Sequence, residues 1–284
     1  MLKHYFALTK PKIALLLLIS TLAGMLAAGA GRIPILDALL VLSGGYLCAG
    51  GAGAFNCYLD RDLDTLMTRT KRRPIPAGHI SPRNALIFSI LITMLSVPIL
   101  YMVSTLVMLL SMVAWLYYVL IYSIYLKSRT DQNVVIGGAA GAFPPVIGWA
   151  AITGGVDATA IAMFMIVFFW TPPHAYALML IVKDDYKRVN IPMLPSVRSE
   201  KETVRQILVY GVVLLLVTVI PGLLNLFGIL YLLVAIPLGC LFVILAANLY
   251  ISMEISSASR LYRYSTYYLA FLFLGMVLDR ALLV

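Results

Sequence analysis

The chain has 284 residues, 62% of them hydrophobic and only 12% charged, with a mean hydropathy of +0.97. That composition leaves a water-soluble domain with far too little polar surface, so lipid is the expected solvent. The net charge of +9 is first a matter of membrane topology and need not imply nucleic acid, although a basic face would also attract anionic substrates and lipid headgroups.

Met1-Leu2-Lys3-His4 leads into an apolar stretch with no A-x-A-like cleavage site. A retained helix is expected there rather than a signal peptide. Apolar runs of the roughly 20 residues needed to cross a bilayer predict nine spans, near 13–30, 36–59, 84–103, 105–126, 134–153, 158–182, 204–225, 228–250 and 264–283. The third/fourth and seventh/eighth junctions are the weakest, punctuated only by Val103-Ser104-Thr105 and Asn225-Leu226-Phe227-Gly228. Charge supports both turns. With a cytoplasmic N-terminus, 19 of the 21 Lys and Arg residues fall on the cytoplasmic side, leaving Arg32 and Arg280 outside, as the positive-inside rule demands. A shift of one span would scatter Lys127, Arg129, Lys183, Arg260 and Arg263 across both sides. The expected fold is an all-α integral membrane protein, one polytopic domain over 1–284, with its chemistry on cytoplasmic segments 56–83 and 183–200. Cys48, Cys57 and Cys240 lie in apolar stretches without a C-x-x-C spacing and read as bystanders.

The second span ends in Asn56-Cys57-Tyr58-Leu59-Asp60-Arg61-Asp62-Leu63-Asp64, after the small-residue run Gly50-Gly51-Ala52-Gly53-Ala54. Asn56, Asp60 and Asp64 at i, i+4 and i+8 share one helical face. They stand at a helix C-terminus, where the macrodipole disfavours negative charge, so something positive must compensate. A hard divalent cation such as Mg²⁺ fits carboxylate and amide oxygens and completes its shell with substrate phosphates. The basic run Arg69-Thr70-Lys71-Arg72-Arg73-Pro74 offers Arg forks and a compact Lys charge for phosphate oxygens. Taken as a solvated loop, the basic run alone needs no ligand, but acidic residues do nothing for orientation. Asp62 points away from Asp60 and is free to pair with a nearby Arg.

The sixth span ends in a second acidic site, Lys183-Asp184-Asp185-Tyr186-Lys187-Arg188, on the same side as the first. Both sites pass from acid to base to an Ile-Pro step, Ile75-Pro76 and Ile191-Pro192, which suggests two four-helix halves with a ninth helix added. Pro144-Pro145 and Pro172-Pro173 fall inside spans five and six, where each pair must kink the helix and free carbonyls. Trp115, Tyr118, Tyr122 and Tyr125 form a stripe on span four that could shield a carbocation, or serve as packing and interfacial belt. His174 is the one histidine inside a span; as an intramembrane polar residue it is a functional candidate, with helix packing as the plainer role.

Asn56-x-x-x-Asp60-x-x-x-Asp64 resembles the first motif of the UbiA superfamily of intramembrane prenyltransferases. Longer strings are similar to its heme O synthase branch, the protoheme IX farnesyltransferases: Asp60-x-Asp62-x-Asp64-x-x-Met67-x-Arg69-Thr70-x-x-Arg73-Pro74, Leu126-Lys127, Asn133-Val134-Val135-Ile136-Gly137-Gly138, Pro144-Pro145-x-x-Gly148-Trp149, Thr171-Pro172-Pro173-His174, Asp184-Asp185-Tyr186 and Ile191-Pro192-Met193-Leu194-Pro195. These cover spans one to seven. The resemblance implies that Asn56, Asp60, Asp64, Asp184 and Asp185 hold Mg²⁺. It implies that Arg69, Lys71, Arg72, Arg73 and Lys127 bind the diphosphate of farnesyl diphosphate, and that Tyr122 and His174 contribute to substrate binding. The reaction implied is transfer of the farnesyl group to a vinyl group of heme b, with water adding to give heme O. The implied partners are heme b, farnesyl diphosphate, the lipid bilayer, and heme A synthase or terminal-oxidase assembly factors. Without a transit peptide, the implied setting is a prokaryotic plasma membrane.

The chain departs from the superfamily at the second D-x-x-x-D, where Arg188 or Val189 stands in place of the later Asp. The adjacent Asp184-Asp185 is similar to the heme O synthase variant and leaves the ligands of a second metal open. Ala175-Tyr176 follows His174 where a Phe-Trp pair is expected, which alters the pocket near a porphyrin. A sibling transferase acting on an aromatic ring or a glycerol phosphate would differ only in acceptor. An ion-coupled transporter would place its acids near the bilayer midplane, and a heme electron carrier would want paired axial ligands.

Overall fold

A computed structural model describes residues 1–189 and 191–283. Asn190, within the predicted segment 183–200, and Val284 lie outside the described residues. Among those described, nine helices are long and apolar enough to cross a membrane: α1 (Pro11–Ala28), α2 (Ile35–Leu59), α3 (Pro82–Val103), α4 (Thr105–Leu126), α5 (Asn133–Thr153), α6 (Ala158–Ile181), α7 (Glu200–Leu223), α8 (Ile229–Ser252) and α9 (Ile255–Leu283). No strand occurs among the described residues, and the chain is an all-α, multi-pass membrane protein.

Polar punctuation in the sequence becomes helix caps. Ser81, Ser104, Asp157 and Ser199 accept backbone N–H bonds at the starts of α3, α4, α6 and α7, satisfying donors that a helix start leaves orphaned. The third/fourth junction shrinks to Ser104 alone, whose extended backbone (φ −167°) ends α3 and caps α4. At the seventh/eighth junction Asn225 turns through the left-handed region (φ 57°). Asp279 of α9, 1% exposed, then accepts from Gly228 N (2.6 Å) and Tyr231 N (3.1 Å) and caps α8 from a neighbouring helix. Two spans start well before their expected positions, by a turn or more. α7 begins at Glu200 because Ser199 and Glu202 make its first turn, and α9 extends back to Ile255 through a polar stretch that hydropathy passes over.

Sequential neighbours pack together in both α1–α4 and α5–α8. α9 is more than an appendage, since it packs on α6, α8 and α1 and so ties the second half to the first. The halves also meet where α1 lies against α5. There a Cβ on Gly148 would stand 1.9 Å from the Thr21 carbonyl oxygen, and one on Gly24 would stand 2.2 Å from that of Pro145. Such backbone-to-backbone approach is how membrane helices gain contact without a hydrophobic driving force. Both Pro pairs sit inside continuous helix; the break in α5 comes at Gly138 instead.

Gly148→Ala is therefore expected to destabilise the fold by about 1–3 kcal/mol, because the obstructing atom is backbone and cannot turn aside. Thermal unfolding in detergent should show a lowered midpoint; an unchanged midpoint would mean that α1 and α5 part freely.

Candidate active site

The i→i+4 ladder continues through the end of α2 into a short helix, Arg61–Leu66: Asp60 N bonds to Asn56 O (2.9 Å) and Asp64 N to Asp60 O (2.8 Å). Asn56, Asp60 and Asp64 thus stay on one face, as their spacing predicts, and all three are buried. Asp62 faces outward, 84% exposed, and pairs with Arg61 at 3.5 Å.

Protein cations compensate this buried charge. Lys127 Nζ lies 2.5 Å from Asp60 Oδ2, and Arg73 Nη1 donates to both oxygens of Asp64, at 3.0 and 2.8 Å. Burial pulls the Arg73 guanidinium down, but Asp64 and more distant Asp60 more than offset it, so its pKa is raised and the charge is locked in. Lys10 donates to Asn56 Oδ1 at 2.5 Å; burial holds its ammonium below the usual lysine range against the pull of the same two carboxylates.

Lys127 directly follows an irregularity in α4. The second half of that helix, Tyr117–Leu126, is π-helical, a rare form that gathers at functional sites. Ser123 Oγ donates to Tyr118 O five residues back (2.9 Å) and accepts from Asn56 Nδ2 (3.3 Å). That fixes the Asn56 amide with its oxygen toward Lys10. The extra residue per turn also divides the aromatic stripe. Trp115 packs on Phe55, Tyr118 and Tyr122 stack half-buried with centroids 5.6 Å apart, and Tyr125 swings out with Arg129 over its ring.

The second acidic segment forms the helix Lys183–Arg188. Asp185 turns toward the first segment, accepting from Arg69 N (3.4 Å) and pairing with Arg188 (3.2 Å), while Arg188 also donates to Thr68 Oγ1 (2.9 Å). The two acidic segments therefore meet across one mouth. Asp184 is exposed at its rim, as are Arg69, Lys71 and Arg72, and none of these four forms an ion pair among the described residues. Asn133, fully buried, donates to Thr130 O (2.7 Å) and Pro192 O (3.2 Å) and ties the α4–α5 turn to the second segment. The Arg198–Asp131 pair reinforces that tie, and the Lys183–Glu200 pair joins the second segment to the start of α7.

His174 is not part of the mouth. Its ring lies between Trp170 (4.2 Å) and Tyr262 (4.8 Å), with Nδ1 bonded to Ser265 of α9 at 2.6 Å.

Lys10, Ser123 and Asn133 were not singled out as site residues by sequence. The run Gly50–Ala54 does have a purpose tied to the first of them. A Cβ on Gly50 would stand 3.0 Å from Thr9 Cβ, and Thr9 Oγ1 bonds to Tyr46 OH at 2.8 Å. Thr9 therefore seats on α2, and Lys10, left-handed at φ 51°, turns its ammonium into the site before Pro11 starts α1. The one signal in the sequence is a basic residue immediately before a helix-starting Pro. Lys10→Ala is expected to raise the KM for an anionic substrate about tenfold, a loss typical of one charge-assisted bond. Steady-state kinetics at fixed acceptor would read it, and an unchanged KM would detach Lys10 from the substrate.

Asn56, Asp60, Asp64 and Asp185 offer oxygen ligands at the mouth, and no group of three or more Asp, Glu, His or Cys is gathered at metal-binding distances among the described residues. Carboxylate and amide oxygens are the ligand type that a hard cation takes, with phosphate and water completing its shell.

Fold and mouth together define a multi-pass membrane protein in which two acidic segments and an exposed basic run meet at converging helix ends. The chain belongs to the UbiA prenyltransferase family, whose model matches residues 17–275. It is 46% identical over 282 residues to the protoheme IX farnesyltransferase of Roseiflexus castenholzii, covering 99% of this chain but 53%, about half, of that protein's length. It is 45% identical to that of Synechocystis sp., covering 98% of this chain and 89% of the relative. Among solved structures, a digeranylgeranylglyceryl phosphate synthase superposes with a TM-score of 0.82 at 20% identity over 99% of this chain and 98% of the other. A UbiA homologue from Archaeoglobus fulgidus bound to GPP and Mg²⁺ gives 0.69 at 16% identity over 96% and 99%. At these identities the structures speak for the fold alone.

Proposed function

We propose that the chain, acting as one polytopic domain, transfers the farnesyl group of farnesyl diphosphate to a vinyl group of heme b with addition of water, forming heme O. The observation that carries this reading is the 45–46% identity, over nearly the whole chain, to proteins named protoheme IX farnesyltransferase. The reading places the mouth on the cytoplasmic side of a plasma membrane, following the distribution of Lys and Arg.

Asn56, Asp60, Asp64 and Asp185, with Asp184 at the rim, are the groups that would hold Mg²⁺, which supplies charge neutralisation of the diphosphate as it leaves. Arg69, Lys71 and Arg72 draw the diphosphate in. Lys127 and Arg73, already positioned by their pairing with Asp60 and Asp64, donate to its oxygens. The C–O bond of the allylic diphosphate then breaks heterolytically, both electrons leaving with oxygen. The stacked faces of Tyr118 and Tyr122 shelter the allylic cation. The vinyl π electrons form the new C–C bond, and water adds to the resulting cation with loss of a proton, giving the hydroxyethylfarnesyl side chain.

The test is incubation of purified protein with heme b, farnesyl diphosphate and Mg²⁺, with mass detection of hydrated, farnesylated heme. Absence of that product, together with prenylation of an aromatic or glycerol-phosphate acceptor, would replace heme with the sibling acceptor.

A further inference from the structure

Ser265 is completely buried and its hydroxyl has a single proton to give. Its Oγ lies 2.6 Å from the Tyr262 carbonyl and 2.6 Å from His174 Nδ1. If the hydroxyl donates to the carbonyl and accepts from Nδ1–H, both short contacts are hydrogen bonds; if it donates to Nδ1, the carbonyl contact is lost and an Nε2–H is left without an acceptor. The first arrangement makes more bonds, so the imidazole carries its proton on Nδ1 and presents a bare lone pair at Nε2. No partner for Nε2 occurs among the described residues, and the side chain is half-buried rather than sealed. The rings of Trp170 and Tyr262 on either side fix the imidazole plane. A second-layer acceptor on one ring nitrogen, with the other nitrogen left as a free, oriented lone pair, is the arrangement that metal-ligating histidines share. The other two histidines, His4 and His79, stack on each other outside the spans, 4.1 Å apart.

We propose that His174 Nε2 is the sole axial ligand to the iron of heme b, holding the porphyrin at the α6–α9 seam while the prenyl group is delivered. This rests on the heme reading above and deepens it. One imidazole suits a substrate. A resident electron-transfer heme takes two axial ligands, whereas a five-coordinate heme on a single histidine can be released once it has reacted. Ser265 acts as a positioning residue, setting the tautomer and the ring direction.

The experiment titrates purified protein in lipid nanodiscs with ferric heme b, and separately with metal-free protoporphyrin IX, without prenyl diphosphate. The wild type should give the optical and electron paramagnetic resonance signature of five-coordinate, single-histidine heme. His174→Gly should lose that signature, bind heme about tenfold or more weakly, and regain the signature with added imidazole, while its affinity for metal-free porphyrin stays at the wild-type level. Ser265→Ala should keep the ligand but weaken heme binding about tenfold, the cost of a lost second-layer partner. A wild-type spectrum without histidine ligation overturns the proposal whatever the variants do, as does a His174→Gly spectrum identical to wild type. Heme farnesylation alongside either of those results would leave the functional reading intact, whereas failure of wild type to bind either porphyrin would remove both.

Discussion

Asp60→Ala and Asp64→Ala are each expected to lower heme farnesylation about a thousandfold or more, the scale of losing one group aimed at developing negative charge, while the protein remains inserted in the membrane. The variants also test the ion pairs. Asp60 and Asp64 are 6% and 3% exposed, and their partners Lys127 and Arg73 are themselves largely enclosed, at 14% and 25% side-chain exposure. Removing one member of such a pair strands the other and costs about 3–5 kcal/mol where burial is complete, less here because water reaches the cations. The pairwise variants Asp60→Ala/Lys127→Ala and Asp64→Ala/Arg73→Ala should regain much of that stability and none of the activity. Rates of heme O formation measured beside thermal midpoints separate the two effects. Turnover within tenfold of wild type in either single variant would remove the carboxylates from the chemistry.

What could be read in the sequence follows from which forces are local. The nine spans are long apolar runs, so lipid solvation made their number and order legible, though not where α7 and α9 begin. Asn56, Asp60 and Asp64 kept their expected face because an unbroken α-helical ladder carries them. The stripe on α4 was legible only in part, since its phase assumed 3.6 residues per turn and the π-helical stretch sent Tyr125 outward while bringing Ser123 to Asn56. No residue type announces a π-helix. Lys10 was invisible for another reason: its role depends on Thr9 docking against Gly50, some forty residues away, and on a left-handed turn that lysine rarely adopts. The same applies to Asp279, an acid in the last span whose caps are on α8. The intramembrane position of His174 was plain from sequence; its engagement with Ser265, ninety-one residues later, was not.

The ion pairs also set how the protein should respond to metal withdrawal. In a structural metal site the ligands are left uncompensated when the ion goes, and the fold loses its stability with it. Here Asp60, Asp64 and Asp185 already have Lys127, Arg73 and Arg188 as partners, so chelation should abolish turnover yet leave the unfolding midpoint of the substrate-free protein nearly unchanged. Added Mg²⁺ alone should do little, because it must displace those cations from the carboxylates. A non-hydrolysable farnesyl diphosphate analogue alone should do little as well, because its negative charge then faces the carboxylates without an intervening ion. Supplied together, each removes the obstacle to the other: the anion draws Lys127 and Arg73 to itself and frees the carboxylates for the metal. Joint saturation at a hundredfold excess over the dissociation constant should stabilise the fold by about 2.7 kcal/mol, read as an upward shift of the thermal midpoint that neither ligand produces by itself. If Mg²⁺ alone gave the full shift, the mouth would be a preformed metal site and the ion pairs mere bystanders; if the analogue alone gave it, the basic residues would suffice and the carboxylates would need another role.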